Sequence, residues 1–229
     1  MKVLWRILLI VFFLASPKFG WAAESFGRIV IDPGHGGYDP GAIRKGVAEK
    51  DINLEIAKEI KKILMEKKVA CLLTREGDYN HAVVGLHGKE AKRYDFERRI
   101  EMAKGFNADA MISIHVNVSR RKSSGPETFY LPKDTISKLL AENIQKELHE
   151  IPGINQRQIK TGRYYLLTHT EIPCVIVETG FINNPEERQK LLKPQYRQKI
   201  SEAIARGILD YLQDKNRETL LKNLQKKVS

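Results

Sequence analysis

Short apolar runs alternate with amphipathic helical patterns along most of this chain. The first helical pattern, Lys50–Lys67, repeats isoleucine at helical spacing along one face, at Ile52, Ile56, Ile60 and Ile63. Segments that alternate in this way favour parallel strands whose connecting helices cover both faces of a sheet. We therefore predict an α/β fold with a single, mainly parallel sheet of about six strands and helices on both faces.

The remaining elements follow from the same patterns. Six apolar runs are predicted as strands: Arg28–Asp32, Val69–Thr74, Ala110–Val116, Glu127–Leu131 (at an edge), Tyr164–Leu167 and Cys174–Thr179. Besides Lys50–Lys67, helices are predicted at Tyr94–Phe106, Thr135–Leu148 and Gln195–Gln213. The last stretch, Lys215–Ser229, is basic with three leucines, which indicates a surface helix or a frayed tail rather than a second domain.

The N-terminus has the pattern of a secretory signal. Lys2 and Arg6 precede the apolar run Ile7–Ala15, and Gly20–Trp21–Ala22 has the small-x-small pattern of a cleavage site. The run is shorter than the ~20 residues of a spanning helix, although an uncleaved membrane anchor remains the alternative. We thus predict a signal peptide at residues 1–22, one domain at 23–213, a basic tail at 214–229, and export across the cytoplasmic membrane.

The net charge of +11 suggests an anionic partner. For an exported protein, a wall polymer or an anionic membrane surface fits better than nucleic acid, because the aromatic residues are not interleaved with Lys and Arg. Alternatively, the lysines only form solvated helix faces. The two cysteines, Cys71 and Cys174, lie in apolar runs and are predicted to be buried free thiols rather than a disulfide.

Four residues suited to metal chemistry stand at the ends of predicted elements. His35 and His115 each follow an apolar strand, Glu178 ends another, and Glu49 opens the first helix. Each has an ordinary explanation alone: Glu49 as a carboxylate favoured at a helix N-terminus, His115 as a core histidine. Parallel strands, however, bring their C-terminal ends to one edge of the sheet. Two histidines and a carboxylate form a common zinc set with a position open for water, and a further glutamate would then serve as general base.

Four segments also carry a family resemblance. They are Ile31–Gly37 (IDPGHGG), Glu49–Leu54 (EKDINL), Ser113–Asn117 (SIHVN) and Val177–Pro185 (VETGFINNP). In this order the chain resembles the zinc-dependent N-acetylmuramoyl-L-alanine amidases of the type-3 family, from about Arg28 to about Leu212. The resemblance implies that residues 23–213 are the catalytic domain, that His35, Glu49 and His115 bind Zn²⁺, and that Glu178 is the catalytic carboxylate.

Within that family, the chain is most similar to the germination-specific amidases of the spore cortex. The long stretch Arg75–Arg98, the signal-like N-terminus and the lack of a repeat domain carry this likeness. It implies hydrolysis of the amide between the muramic acid lactyl group and L-alanine in peptidoglycan, in cortex maturation through muramic-lactam formation or in wall remodelling. Expected locations are the cell wall, a periplasm-like space or the cortex region, and an activating partner protein stays open. The alternatives are a zinc carboxypeptidase or endopeptidase on the peptide stem and a non-catalytic wall-binding module.

Several neighbouring residues carry smaller expectations. Asp32 and Asp51 are candidates to orient a ligand histidine, with Asp51 equally suited to be a first-turn helix charge. Asn117 is expected either to hold substrate amides or to cap a turn. Arg98 and Arg99 are expected on a solvated helix face, with an acidic peptide stem as the alternative contact. The other four histidines are expected in surface or loop positions: His81, His87 (in the stretch Arg75–Arg98, expected beside the active site), His149 and His169.

Overall fold

The computed structural model describes residues 26–119 and 123–228, so the predicted signal segment lies outside the described residues. The strands are β1 (Arg28–Pro33), β2 (Ile43–Arg44), β3 (Val47–Ala48), β4 (Ala70–Leu73), β5 (Ala110–Asn117), β6 (Glu127–Tyr130), β7 (Lys160–Thr161) and β8 (Cys174–Phe181). The helices are α1 (Glu49–Glu66), α2 (Gly88–Gly105), α3 (Thr135–His149), α4 (Tyr165–His169), α5 (Pro185–Leu191) and α6 (Pro194–Val228).

Six of these strands form one sheet in the order β4-β1-β5-β8-β6-β7. The pairs β1–β4, β1–β5, β5–β8 and β6–β7 are parallel, and only β6–β8 is antiparallel. The predicted mainly parallel sheet of about six strands is therefore confirmed. Strand β6 is not its outermost strand, because the two-residue β7 pairs beyond it; the predicted edge position of Glu127–Leu131 is wrong by one strand. Strands β2 and β3 form a separate hairpin.

Helices cover both faces of the sheet, as predicted. Ile112, Ile114 and Val116 of β5 face one core, which includes residues of α1, α3 and α6. Met111 faces the other core, together with residues of α2 and α4. Since side chains alternate along a strand, Ser113 and His115 share the face of Met111, so the α2/α4 face becomes polar toward the C-terminal ends of the strands.

Some predicted elements differ from the structure. Tyr164–Leu167 is not a strand: helix α4 begins at Tyr165 and buries two leucines against the α2 side. A short apolar run does not by itself distinguish a strand from a helical turn. Helix α2 begins at Gly88, six residues before the predicted start at Tyr94, and α6 continues to Val228 without a break after Gln213. Helix α5 and the β2–β3 hairpin have no counterpart in the predicted elements.

Both cysteine thiols are free, as predicted. Cys174 is buried as expected, whereas Cys71, near the end of the sheet on β4, is only half-buried. Burial raises the pKa of the Cys71 thiol to about 12, which makes it a poor nucleophile at neutral pH. Among residues 26–119 and 123–228, no helix combines the length and the apolar character needed to cross a membrane.

Candidate metal centre and active site

The turn after β1 presents His35 in a strained backbone conformation. Its φ of 63° lies in the left-handed region, which residues other than glycine rarely adopt. Two buried arginines hold the turn: Arg99 Nη2 donates to the His35 carbonyl at 2.8 Å, and Arg75 Nη2 donates to the Gly34 carbonyl at 3.0 Å. Arg99 Nη1 and Arg75 Nε also donate to the carbonyl of Pro33, both at 2.9 Å. Each guanidinium donates two hydrogen bonds to the carbonyls of this turn. These bonds fix the backbone that carries the His35 ring.

Glu49 is held at the start of α1 between two pieces of backbone. Its Oε2 accepts from the Ala42 amide at 2.9 Å, and its Oε1 accepts from the Val116 amide at 3.1 Å. Oε1 also lies 3.2 Å from His35 Nε2 and 3.0 Å from His115 Nδ1. One ligand atom from each of these three residues lies within 4.8 Å of the others, so the three predicted ligands converge.

His115 completes the cluster from the end of β5. Its ring meets that of His35 edge to face, with centroids 5.0 Å apart. Gly34 lies directly against it: a Cβ at that position would come within 2.3 Å of the His115 ring. A second glycine, Gly41 with φ of 64°, approaches Glu49 and His35 in the same way. These contacts explain why glycine is needed beside the cluster.

The charges of the cluster favour a cation at its centre. Burial lowers the pKa of His35, but Asp39 at 2.9 Å from Nδ1 and Glu49 beside Nε2 outweigh burial and raise that pKa to about 9. Burial tends to raise the pKa of Glu49, yet hydrogen bonds and charges from His115 and His35 bring it well below its usual range. A metal ion bound at this position would neutralise the negative charge of these carboxylates. The donor set of two nitrogens and a carboxylate oxygen fits Zn²⁺.

Glu178 stands beside this cluster without being part of it. Its Cα pairs with that of His115 across β5 and β8. Burial, followed by the negative charges of Glu49 and Glu127, raises the pKa of Glu178 to about 8. Among the described residues, only Glu178 Oε2 and Asn53 Oδ1 are buried side-chain polar atoms without a hydrogen-bond partner. A buried carboxylate oxygen with no partner is costly, which suits a group whose partner is a reacting molecule.

The two aspartates proposed to orient a histidine do not do so. Asp32 is buried and instead accepts hydrogen bonds from Thr74 at 2.5 Å, Ser113 at 2.6 Å and Arg99 Nη1 at 2.7 Å. Asp51 is exposed in the first turn of α1, which agrees with its alternative interpretation as a helix charge.

Asp39 contacts His35 Nδ1 instead, and the sequence reasoning missed it. Its place four residues after His35, within the glycine-rich turn, was the only signal in the sequence.

The expectation for Arg99 is also wrong. Its side chain is only 1% exposed and is paired with Asp32 and Asp95, because α2 turns this charged face toward the sheet. Arg98 lies on the solvated face as expected and pairs with Glu101. Asn117 donates to Glu127 at 2.8 Å, so its amide is engaged at the end of β5 rather than in a turn cap.

The four other histidines stand apart from the cluster within the described residues. His87 precedes the first residue of α2, and His169 stacks on Tyr165. The ring nitrogens of His81 and His149 lie 2.7 Å and 2.8 Å from backbone carbonyls. All four occupy surface, loop or helix-end positions.

The sequence profile of the N-acetylmuramoyl-L-alanine amidase family matches residues 29–210. The chain belongs to this family. It is 34% identical over 199 residues to the germination-specific N-acetylmuramoyl-L-alanine amidase of Bacillus subtilis, spanning 85% of this chain and 84% of that one. It is 31% identical over 246 residues to the N-acetylmuramoyl-L-alanine amidase AmiA of Escherichia coli, spanning 86% and 80%. The amidase is therefore an enzyme of a metal-dependent family, which its cluster of His35, Glu49 and His115 fits.

The fold of the amidase also matches solved structures of the family. The CwlD amidase of Clostridioides difficile, solved in complex with the GerS lipoprotein, aligns with a TM-score of 0.78 and 34% identity over 82% of this chain and 98% of that one. AmiC2 of Nostoc punctiforme aligns with a TM-score of 0.71 and 36% identity over 82% and 98%. These matches support the predicted family likeness and α/β fold.

Proposed function

We propose that this enzyme hydrolyses the amide between the lactyl group of muramic acid and L-alanine in peptidoglycan, with Zn²⁺ held by His35, Glu49 and His115. The observation that carries the proposal is the convergence of these three ligands next to a buried carboxylate oxygen that has no partner. Substrate and bond follow from the amidase relatives; the metal follows from the donor set.

One group of residues would hold the metal ion, and Glu178 would transfer the proton. His35, Glu49 and His115 would bind the ion, and Asp39 would orient His35 through Nδ1. A zinc ion in that position supplies Lewis acidity, which polarises a carbonyl and makes water acidic enough to react near neutral pH. Glu178 Oε2 accepts the proton of the attacking water and then delivers it to the departing amine of L-alanine.

Product analysis tests the reaction. Peptidoglycan digested with the zinc-loaded protein should yield free stems with N-terminal L-alanine and glycan strands without peptides, as read by mass spectrometry. Stems shortened at the C-terminus would indicate a carboxypeptidase and stems cleaved internally an endopeptidase. An absence of products with a zinc-loaded protein would indicate a wall-binding module. Each of these three results would contradict the proposed bond.

The proposal places the enzyme outside the cytoplasmic membrane. A relative from Bacillus anthracis is named a cell wall amidase, and residues 1–22 of this chain have the pattern of a signal peptide. Cleavage after Ala22 would leave a mature chain that begins at Ala23, which N-terminal sequencing of protein from its natural compartment detects. An intact Met1 on membrane-bound protein would instead support an anchor.

A role in the spore cortex is the finer part of the proposal. The likeness to a germination-specific relative supports it, and the CwlD structure with a lipoprotein supports a partner protein at the membrane. Deleting the gene and analysing cortex fragments for muramic lactam tests this role. Unchanged muramic lactam in the deletion strain would point to remodelling of the vegetative wall instead.

A further inference from the structure

A cleft of about 580 Å³ lies outside the metal cluster. Its walls are the loop after β5, the loop after α3, helix α5 and the first turns of α6. Ile151, Pro152 and Ile154 give one wall an apolar surface, and Ser124 and Asn155 contribute polar groups. The cleft is thus a mixed apolar and polar groove at the C-terminal edge of the sheet.

Three lysines give this cleft its positive charge: Lys190, Lys193 and Lys199 line it and are exposed. Among the described residues, none of their ammonium groups forms an ion pair or a hydrogen bond, although Lys50, Lys61 and Lys215 elsewhere do.

Two carboxylates, those of Glu186 and Glu187, also line the cleft, and only one of them is exposed to its open part. The Glu187 carboxylate is fixed in the wall, where it accepts from the Gly125 amide at 2.7 Å and the Phe181 amide at 2.8 Å. Glu186 is exposed. The open part of the cleft therefore presents more ammonium groups than carboxylates.

The cleft is within reach of the candidate catalytic carboxylate. Ser124 in its wall is three residues from Glu127, a span of at most about 11 Å of chain. Glu127 pairs with Glu178 across β6 and β8, which adds about 5 Å between Cα atoms. A peptide of four or five residues extends to roughly 13–18 Å. The length of a peptide stem is therefore comparable to the largest possible separation of the Ser124 and Glu178 Cα atoms, about 16 Å.

We propose that this lysine cleft binds the carboxylates of the peptide stem whose first amide the enzyme cleaves. The proposal rests on the proposed function and adds a site that recognises the acidic stem. Unpaired ammonium groups provide charge-assisted hydrogen bonds to carboxylates, and the apolar wall accommodates the aliphatic parts of the stem. Stem carboxylates fit better than the phosphates of a separate wall polymer, because the cleft lies at the same edge of the sheet as His115 and Glu178.

Binding of the free stem tests the proposal without catalysis. The probe is the peptide L-alanyl-γ-D-glutamyl-L-lysyl-D-alanine, titrated calorimetrically into the zinc-loaded full chain. Lys190→Gln, Lys193→Gln and Lys199→Gln combined should weaken its binding at least about tenfold, the equivalent of one lost charged contact. The same peptide with both free carboxylates amidated should bind the unsubstituted protein about as weakly as the acidic peptide binds the triple variant.

A matched variant controls for net charge. Lys58→Gln and Lys62→Gln in α1, combined with Lys67→Gln directly after it, remove three exposed charges outside the cleft and should change affinity less than about twofold. Circular dichroism and thermal melting check that both variants keep the fold. On peptidoglycan, the triple cleft variant should have a higher KM and a nearly unchanged kcat. The lost contacts would stabilise the bound substrate and the transition state equally, so their removal affects binding and not turnover.

The outcomes separate the two proposals. Intact hydrolysis with equal KM and equal peptide affinity in both triple variants overturns the cleft proposal alone. Equal binding of the acidic and amidated peptides also overturns it. Lysine-dependent binding of poly(glycerol phosphate), with no lysine dependence for the stem peptide, assigns the cleft to a phosphate polymer and overturns it as well. If instead the unsubstituted zinc-loaded protein releases no stems from peptidoglycan, the proposed function fails.

Discussion

Replacing the buried Asp32 with asparagine tests how much its ion pair with Arg99 stabilises the fold next to the candidate metal ligands. The carboxylate is 1% exposed and accepts from Thr74, Ser113 and Arg99, while Asp95 gives Arg99 a second carboxylate. Asp32→Asn leaves the shape and removes one of the two charges facing Arg99. Breaking a buried ion pair costs about 3–5 kcal/mol, and because Asp95 remains we expect a loss near about 3 kcal/mol at pH 7.

Part of that loss must depend on pH. Burial alone would raise the pKa of Asp32, but the Arg99 charge and the hydrogen bonds of Ser113 and Thr74 prevail and lower it from 3.8 to about 2. At about 1.4 kcal/mol per pKa unit, the ionised group contributes about 2 kcal/mol of folding free energy. This contribution is complete above the unfolded-state value near 4 and disappears as the pH falls through 2. At pH 3, about half of it remains.

Urea denaturation of the two proteins at pH 7 and pH 3 measures this difference. A chelator in all samples removes the contribution of bound metal, since metal binding also stabilises the folded state. The gap in unfolding free energy between the unsubstituted protein and Asp32→Asn should narrow by about 1 kcal/mol from pH 7 to pH 3. The exposed Asp51→Asn is the control and should differ by less than about 0.5 kcal/mol at both pH values. A gap that stays constant with pH would refute the assignment of Asp32 as the charge partner of Arg99.

Three further predictions concern the metal cluster. The unsubstituted protein should carry about one zinc ion per chain by elemental analysis, and His115→Ala should lose it. A full zinc content in this variant would remove His115 from the ligand set. Glu178→Gln should keep its zinc while turnover falls by roughly 10²–10⁴-fold, whereas Glu49→Gln should weaken zinc binding itself. The opposite pattern would mean that the two glutamates exchange roles. Gly34→Ala places a Cβ 2.3 Å from the His115 ring, so zinc affinity should fall while circular dichroism stays unchanged; unaltered affinity would show that the ring is not fixed by this contact.

The predictable part of the fold is the part with a clear repeat. The apolar run at Ala110–Asn117 identifies strand β5, whose side chains point alternately to the two faces of the sheet. The isoleucines at helical spacing identify helix α1. Convergence of His35, Glu49 and His115 followed from strand direction, because parallel strands end at one edge. Each of these predictions depends on a local period or on one rule of topology.

The missed features depend on contacts between distant segments. Helix α2 buries Asp95 and Arg99 alongside Ala91 and Ile100, so charged residues occupy its inner face and the usual apolar stripe is interrupted. A pattern of this kind predicts a solvated face where the structure has a buried one. Asp32 on β1, together with Asp95 on α2 itself, turns the burial of Arg99 from a cost into a stable arrangement.

The buried arginines connect the fold to the chemistry. A carbonyl that accepts a hydrogen bond from a guanidinium is fixed in direction, and Arg99 and Arg75 fix three successive carbonyls, those of Pro33, Gly34 and His35. These bonds stabilise a positive-φ histidine that a free turn would rarely adopt. The network that is most hidden in the sequence is thus the one that holds His35 toward Glu49 and His115. The family motifs predict the ligands, but the geometry that brings them together depends on two arginines located 40 and 64 residues after His35 along the chain.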